Sequence, residues 1–151
     1  MTGEDKVFAA GNKIRIHEIK GWKINALICY DLRFPVWSRN KYDPDSGSFL
    51  YDVLIYVANW PAARISAWDI LLKARAVENM CYSVGLNRVG KDGLGIDYNG
   101  HSNVAIPKGE VLEKCREDAF MNRYVLSAEE LTMYRNKFPS HLDFDSFQIK
   151  V

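Results

Sequence analysis

Lys23-Ile24-Asn25-Ala26-Leu27-Ile28-Cys29-Tyr30-Asp31-Leu32-Arg33-Phe34-Pro35 runs from an apolar, isoleucine-rich stretch into a thiol and then into a proline-led turn. The first half favours a buried β-strand. Pro35, with Val36 and Trp37 behind it, suits the first turn of a helix, where its missing N–H would have had no partner anyway. Cys29 therefore stands at the C-terminal end of a strand, on a tight bend into a helix. Such a layout pushes one side chain out above a sheet, as in a nucleophile elbow. The N–H groups of the bend and the positive end of the helix would face a reacting atom, lowering the thiol pKa and stabilising an oxyanion. A small hydrophobe closing a buried strand is the other reading of a free cysteine. The residues of this stretch alone leave both open.

Working outward, Lys13 to Ile19 reads as a second strand, joined to Lys23–Ile28 at Gly21 and preceded by a polar loop from Thr2 to Asn12. Lys41 to Ser48 is dense in turn formers and reads as a surface loop. Tyr51 to Ala58 is nearly continuous apolar sequence, as expected of a strand buried on both faces. After Asn59-Trp60-Pro61, Ser66 and Asp69 suggest a capped helix start, with Ala67, Ile70, Leu71, Ala74 and Val77 along one face. Cys81 to Val89 predicts another strand, and glycines 90, 93 and 95 predict a loop. His101 to Ile106 predicts a strand ending at Pro107, and Lys108-Gly109 turns the chain into Val111–Cys115. Phe120 to Leu126 is a further strand candidate. Ser127 to Glu130 forms an S-x-x-E box opening a helix that must stop before Pro139. The tail, residues 140–151, carries Phe144, Phe147, Ile149 and Val151 and should dock, on its own domain or on a neighbour. Strands alternating with helices and then clustering predict an α/β domain with a mixed sheet.

Composition narrows the function classes. Twenty basic and nineteen acidic side chains leave a net charge of +1 with neither sign blocked into a tail, so no nucleic-acid or anionic-membrane partner is indicated. No apolar run is long enough to span a bilayer, and the polar opening Met1–Lys6 lacks a signal pattern, making the cytoplasm the default address. Cys29, Cys81 and Cys115 are an odd and sparse set that argues against a disulfide framework. Cys81 and Cys115 sit in strand patterns with no turn after them and read as packing residues. His17, His101 and His141 show no metal-ligand spacing with the cysteines.

Ile28-Cys29-Tyr30-Asp31-Leu32-Arg33-Phe34-Pro35 resembles the nucleophile signature of the nitrilase superfamily, the carbon–nitrogen hydrolases. Further blocks follow in the family's order: Tyr51–Ile55 through Asn59-Trp60-Pro61, Arg75-Ala76-Val77-Glu78-Asn79, and Gly100-His101-Ser102 with Pro107–Glu110. Tyr134-Arg135-Asn136-Lys137-Phe138-Pro139 with His141-Leu142-Asp143 looks like the end of the omega-amidase-like branch. The resemblance implies an α–β–β–α sandwich and hydrolysis of amides or nitriles without metal or organic cofactor. It implies a Glu–Lys–Cys set in which Cys29 is the nucleophile and the Tyr30 backbone N–H belongs to the oxyanion hole. Glu4 resembles an additional carboxylate that orients the base or the lysine. Asn59 and Trp60 would line the substrate pocket, plain core packing being the other reading of Trp60, and Arg33 could meet a substrate carboxylate or form a structural salt bridge. Arg75 and Glu78, three apart on a helix, would brace the cysteine loop, and His101 has no catalytic counterpart in the family.

The chain departs from that pattern in one respect. The general-base Glu and catalytic Lys of the family lie upstream of the region that Glu4 resembles, and no residue here takes either role. Lys6 and Lys13 fall on the wrong side of Glu4, and Glu18 lies in a strand pattern, facing solvent. Residues 1–151 therefore read as the C-terminal portion of one hydrolase domain whose N-terminal half is absent, with an apolar sheet face left exposed. The expected function is cleavage of small carboxamides, such as omega-amides of dicarboxylic or 2-oxo acids, by a parent protein forming a homo-oligomer. The alternatives are a non-catalytic folding or interaction module and, more remotely, a Cys29–His101 thiol enzyme on another fold.

Overall fold

Val53 to Ala58, apolar at every position, forms the central strand of a five-stranded sheet. The computed structural model describes residues 3, 6–9, 11–113, 116–145 and 147. Glu4, Cys115, Ile149 and Val151, singled out above, lie outside them. In chain order the elements are β1 (Ile16–Ile19), β2 (Trp22–Ile28), α1 (Pro35–Ser38), β3 (Tyr42–Asp43), β4 (Ser48–Phe49), β5 (Val53–Ala58), α2 (Ile65–Glu78), β6 (Tyr82–Asn87), β7 (Val89–Lys91), β8 (Asp97–Asn99), β9 (Asn103–Ala105) and α3 (Ala128–Lys137). The main sheet runs β1-β2-β5-β6-β9. Its middle three strands are parallel, and the two edges pair antiparallel. This is the mixed α/β sheet expected from the alternation of elements.

One face of the sheet is closed by α2, which makes the crossover from β5 to β6. Leu54 and Tyr56 of β5 meet Trp68 and Leu72 of α2, with Leu32, Tyr51, Trp60 and Cys81 completing the core. The close approach of helix and sheet requires glycine at position 85, where a Cβ would come within 2.7 Å of the Trp68 ring. The opposite face carries a second cluster of Val53, Tyr82, Val104 and Leu131, the last contributed by α3, with Trp22, Ile24, Tyr124 and Leu126 against it. That cover stops short of the C-terminal ends of the strands. Ile28, Val57 and Leu86 stand side by side in register and are 71%, 55% and 49% exposed.

Several local expectations are corrected by the structure. α2 starts at Ile65, from a 3-10 turn at Ala62–Arg64, and Ser66 does not cap it. Its buried stripe is Trp68, Leu72, Arg75 and Ala76, while Ile70 and Val77 of the expected face are exposed. Apolar periodicity missed this because one buried position is an arginine, whose two Nη atoms are hydrogen-bonded. The expected strand Cys81–Val89 breaks at Arg88, and Val89–Lys91 forms a separate hairpin with Asp97–Asn99. The expected loop Lys41–Ser48 includes the two-residue ladder of β3 and β4. Of Val111–Cys115, Val111 makes an isolated bridge to Ala105. Phe120–Leu126 is not a strand; Tyr124 and Leu126 pack as side chains on the second core cluster.

The C-terminal helix follows its caps. Ser127 Oγ accepts the Glu130 N–H at 3.1 Å, and the helix ends at Lys137, ahead of Pro139. The tail then docks on its own chain: His141 packs on the rings of Tyr42 and Phe49 at 4.3 and 4.8 Å, and the Arg39 guanidinium lies 3.9 Å over Phe144. No helix among the described residues is long and apolar enough to cross a membrane.

Candidate active site

The bend after β2 places Cys29. Ile28 ends the strand in an extended conformation, and Cys29 opens a 3-10 turn through Arg33, with Pro35 at the start of α1. Cys29 has φ of +39°. For a residue bearing a Cβ this left-handed geometry costs about 1–2 kcal/mol, so the surroundings must hold it there. Two contacts do so locally: the Ile28 N–H donates to Asp31 Oδ2 at 2.9 Å, and the Phe34 N–H to Asp31 O at 2.9 Å. The N–H groups of Cys29 and Tyr30 fall in the first turn of this segment, where a helix offers no carbonyl of its own. Cys29 Sγ is partly exposed and lies 3.8 Å from Asn59 O.

Arg75 fixes the far side of the turn. Its side chain is buried, with Nη2 donating to Leu32 O at 2.6 Å and Nη1 pairing with Glu78 at 3.0 Å. Asn79 Nδ2 donates back to Arg75 O at 2.9 Å. α2 is thereby tied to the cysteine turn through one guanidinium. Arg75→Met would leave the fully buried Leu32 carbonyl unpaired, and an expected loss of about 2–3 kcal/mol follows, measurable as a lowered denaturant midpoint at unchanged slope. Glu78 is one-third exposed and recovers water, so it adds little.

The loop after β5 lies beside the thiol. Asn59 is exposed, whereas Trp60 is 2% exposed and belongs to the core, its ring 5.5 Å from that of Trp68. The Trp60 indole N–H donates to Arg64 O, and its outer face is covered by the Arg33 guanidinium at 4.7 Å. Arg33 makes no ion pair among the described residues. Sequence reading missed Asn87, which secures this loop. Its Oδ1 accepts the Trp60 N–H at 2.7 Å while its Nδ2 donates to Trp60 O and Gly100 O at 3.1 and 2.8 Å. Its position at the C-terminal end of a parallel strand could have flagged it. Asp31, which locks the bend, was likewise read only as part of a motif.

The other candidates lie apart from this arrangement. His101 turns Nδ1 to Asp69 at 2.9 Å and Nε2 to Glu117 at 3.6 Å, and its carbonyl accepts the Trp68 indole N–H at 3.0 Å. Those contacts fix it as a packed residue on α2. Cys81 is wholly buried, and burial pushes its thiol well above the ordinary range. A hollow between α2 and β9 is lined by Asp69, Leu72, Lys73, Asn103, Ala105 and Val111, not by Cys29. Among the described residues, no group of His, Cys, Asp and Glu could hold a metal ion.

Comparison with known proteins gives consistent matches. A carbon-nitrogen hydrolase family model matches residues 2–125. The omega-amidase YafV of Escherichia coli (strain K12) is 47% identical, over 99% of this chain and 56% of its own length. A 2-oxoglutaramate amidase of Bacillus subtilis (strain 168) is 32% identical, over 92% of this chain and 51% of its own. The crystal structure of a CN-hydrolase superfamily protein from Xanthomonas campestris, which holds an arsenic adduct in its active site, is 43% identical. It superposes with a TM-score of 0.93, over 97% of this chain and 56% of that one. The chain spans about half the length of the curated relatives it matches.

Proposed function

Because the chain belongs to the carbon–nitrogen hydrolase family and its omega-amidase branch, we propose that Cys29 is the nucleophile of a thiol-dependent amidohydrolase. Its substrates are small carboxamides, foremost omega-amides of dicarboxylic or 2-oxo acids. The observation that carries the proposal is Cys29 held at φ +39° on the bend from strand to turn, a strained geometry of the kind that clusters at active sites. The substrate class draws its support from the relatives named as an omega-amidase and a 2-oxoglutaramate amidase.

In this reading Cys29 Sγ attacks the amide carbonyl carbon, and the carbonyl electron pair moves onto oxygen, where the Tyr30 N–H donates to it. Collapse of the intermediate expels the nitrogen as ammonia once a general acid has protonated it, leaving a thioester. Water then attacks the thioester carbon and releases the carboxylic acid and the thiol. Asn59 and Arg33 border the substrate with the buried Trp60 ring packed behind Arg33, Arg75 and Glu78 brace the turn, and Glu4 acts as a supplementary carboxylate. The general-base Glu and the Lys that the family resemblance implies belong, we infer, to a segment N-terminal to this stretch. Residues 1–151 are then the C-terminal portion of a single domain, with 140–151 its tail. The complete protein is a cytoplasmic homo-oligomer.

Ammonia release from 2-oxoglutaramate and succinamate tests this, using the chain alone and the chain joined to an upstream segment bearing Glu and Lys. The extended form is expected to turn over, with the chain alone near background. Inactivity of the extended form would contradict the amidase reading, and full activity of the chain alone would contradict the inference about the missing groups. A second reading, a non-catalytic interaction module, draws on the exposed row of Ile28, Val57 and Leu86, which has the apolar character of an unpaired layer. An inactive extended form would favour it.

A further inference from the structure

We propose that Arg88 is a specificity-determining residue that holds the carboxylate of a short acid amide while the amide carbon meets Cys29. The proposal rests on the nucleophile reading of Cys29. Three parallel strands end in register, with Ile28 beside Val57, Val57 beside Leu86, and Ala58 beside Asn87. Cys29 and Arg88 are the residues that follow the two outer members of this set. Each touches the same short stretch between them: Cys29 Sγ lies 3.8 Å from Asn59 O, and the Arg88 N–H donates to Ala58 O at 3.3 Å. Two strand spacings separate the two backbones, about 10 Å. Crevices beyond the C-terminal ends of parallel strands are where α/β folds bind small ligands.

The side chain of Arg88 is held in place without a direct ion pair among the described residues. Its guanidinium lies 4.8 Å over the ring of Tyr98, in the β7–β8 hairpin. Tyr98 is fixed in turn by donating its hydroxyl to Asp92 Oδ2 at 2.9 Å, while Asp92 Oδ1 accepts the N–H groups of Leu94 and Ile96. The Asp92 oxygens are thus committed to hydrogen bonds of the hairpin while its charge still acts on Arg88 from a distance, and Arg88 has no carboxylate within 4.0 Å among the described residues. A guanidinium parked on a ring keeps its hydrogen-bonding edge free for a planar, bidentate acceptor such as a carboxylate. The Tyr98 hydroxyl is held above its ordinary value chiefly by its hydrogen bond to Asp92 and then by desolvation, with the Arg88 charge opposing them.

Labelling of Cys29 by two maleimides tests the proposal on the chain as it exists. 3-Maleimidopropionate carries a carboxylate at the end of a short arm, and N-ethylmaleimide is neutral. Rates are read by peptide mapping at Cys29 in low-salt buffer. The anionic reagent is expected to react about tenfold faster than the neutral one, with the ratio falling toward one in Arg88→Met and partly restored in Arg88→Lys. A ratio near one in the native chain would overturn the assignment, as would a preference that survives Arg88→Met but is lost in Arg33→Met. If Cys29 reacts with neither reagent faster than in the denatured chain, the nucleophile reading itself fails, and the role of Arg88 fails with it.

Discussion

Cys29→Ala is expected to reduce omega-amide hydrolysis by the upstream-extended form at least about 10³-fold. The alanine keeps the strand, the bend and the Asp31 contacts, so folding should survive, and far-ultraviolet circular dichroism checks that. What is lost is the sulfur that the proposed mechanism joins to the amide carbon. Any residual rate would come from binding and from the turn N–H groups acting on a water attack. Cys29→Ser separates two explanations further. A hydroxyl in the same place occupies a similar volume but is a far weaker nucleophile at neutral pH, so it too should be nearly inactive. An active Cys29→Ser alongside an inactive alanine variant would indicate that the position needs a polar atom and not a thiolate.

Arg135→Met is expected to destabilise the chain by about 3–5 kcal/mol, the largest single effect on folding foreseen here. From α3, the Arg135 side chain reaches across to the start of β5. Nη1 meets Asp52 at 2.8 Å, Nε donates to Met80 O at 3.0 Å, and Nη2 donates to Tyr51 O at 3.1 Å. The Phe49 ring covers its face at 3.8 Å. Methionine matches the apolar stem but takes the donor from Met80 O and the ion-pair partner from the mostly buried Asp52, while Tyr51 O keeps the Asn40 amide and Asp52 the Lys23 N–H. Chemical denaturation should show a lower midpoint, together with undocking of α3 and the tail that follows it. Hydrogen exchange at the backbone amides of α3 should accelerate in parallel.

That second result bears on how the sequence could be read. The Tyr134–Pro139 block pointed to a substrate branch, yet its arginine packs as a clamp between α3 and the sheet. The sheet and the bend were legible because apolar continuity in Val53–Ala58 and the strand–cysteine–proline pattern have few alternative structures. The caps of α3 were legible because Ser127 and Glu130 act within one turn. What escaped were residues whose roles depend on distant partners. For Arg75 the bracing role followed from the family resemblance, and only its burial within the stripe of α2 escaped, because Leu32 O, 43 positions away, receives it. Asn87 looks like an ordinary strand end until Trp60 and Gly100 are brought to it. Phe120–Leu126 has strand-like composition but packs by its side chains alone. Arg88 breaks the expected strand at the point where the chain turns off toward the hairpin, a change set by the tertiary path and not by local propensity.

The central claim is that the Cys29 sulfur attacks an acyl carbon. Brief exposure of the chain to the p-nitrophenyl monoester of succinic acid, followed by acid quenching and mass analysis of the peptides, tests it directly, because this leaving group departs without needing a proton. A succinyl adduct is predicted on the Cys29 peptide, stoichiometric and absent from Cys29→Ala, with wholly buried Cys81 unmodified. Acylation that appears elsewhere, or that appears on Cys29 no faster than in the denatured chain, would contradict the account.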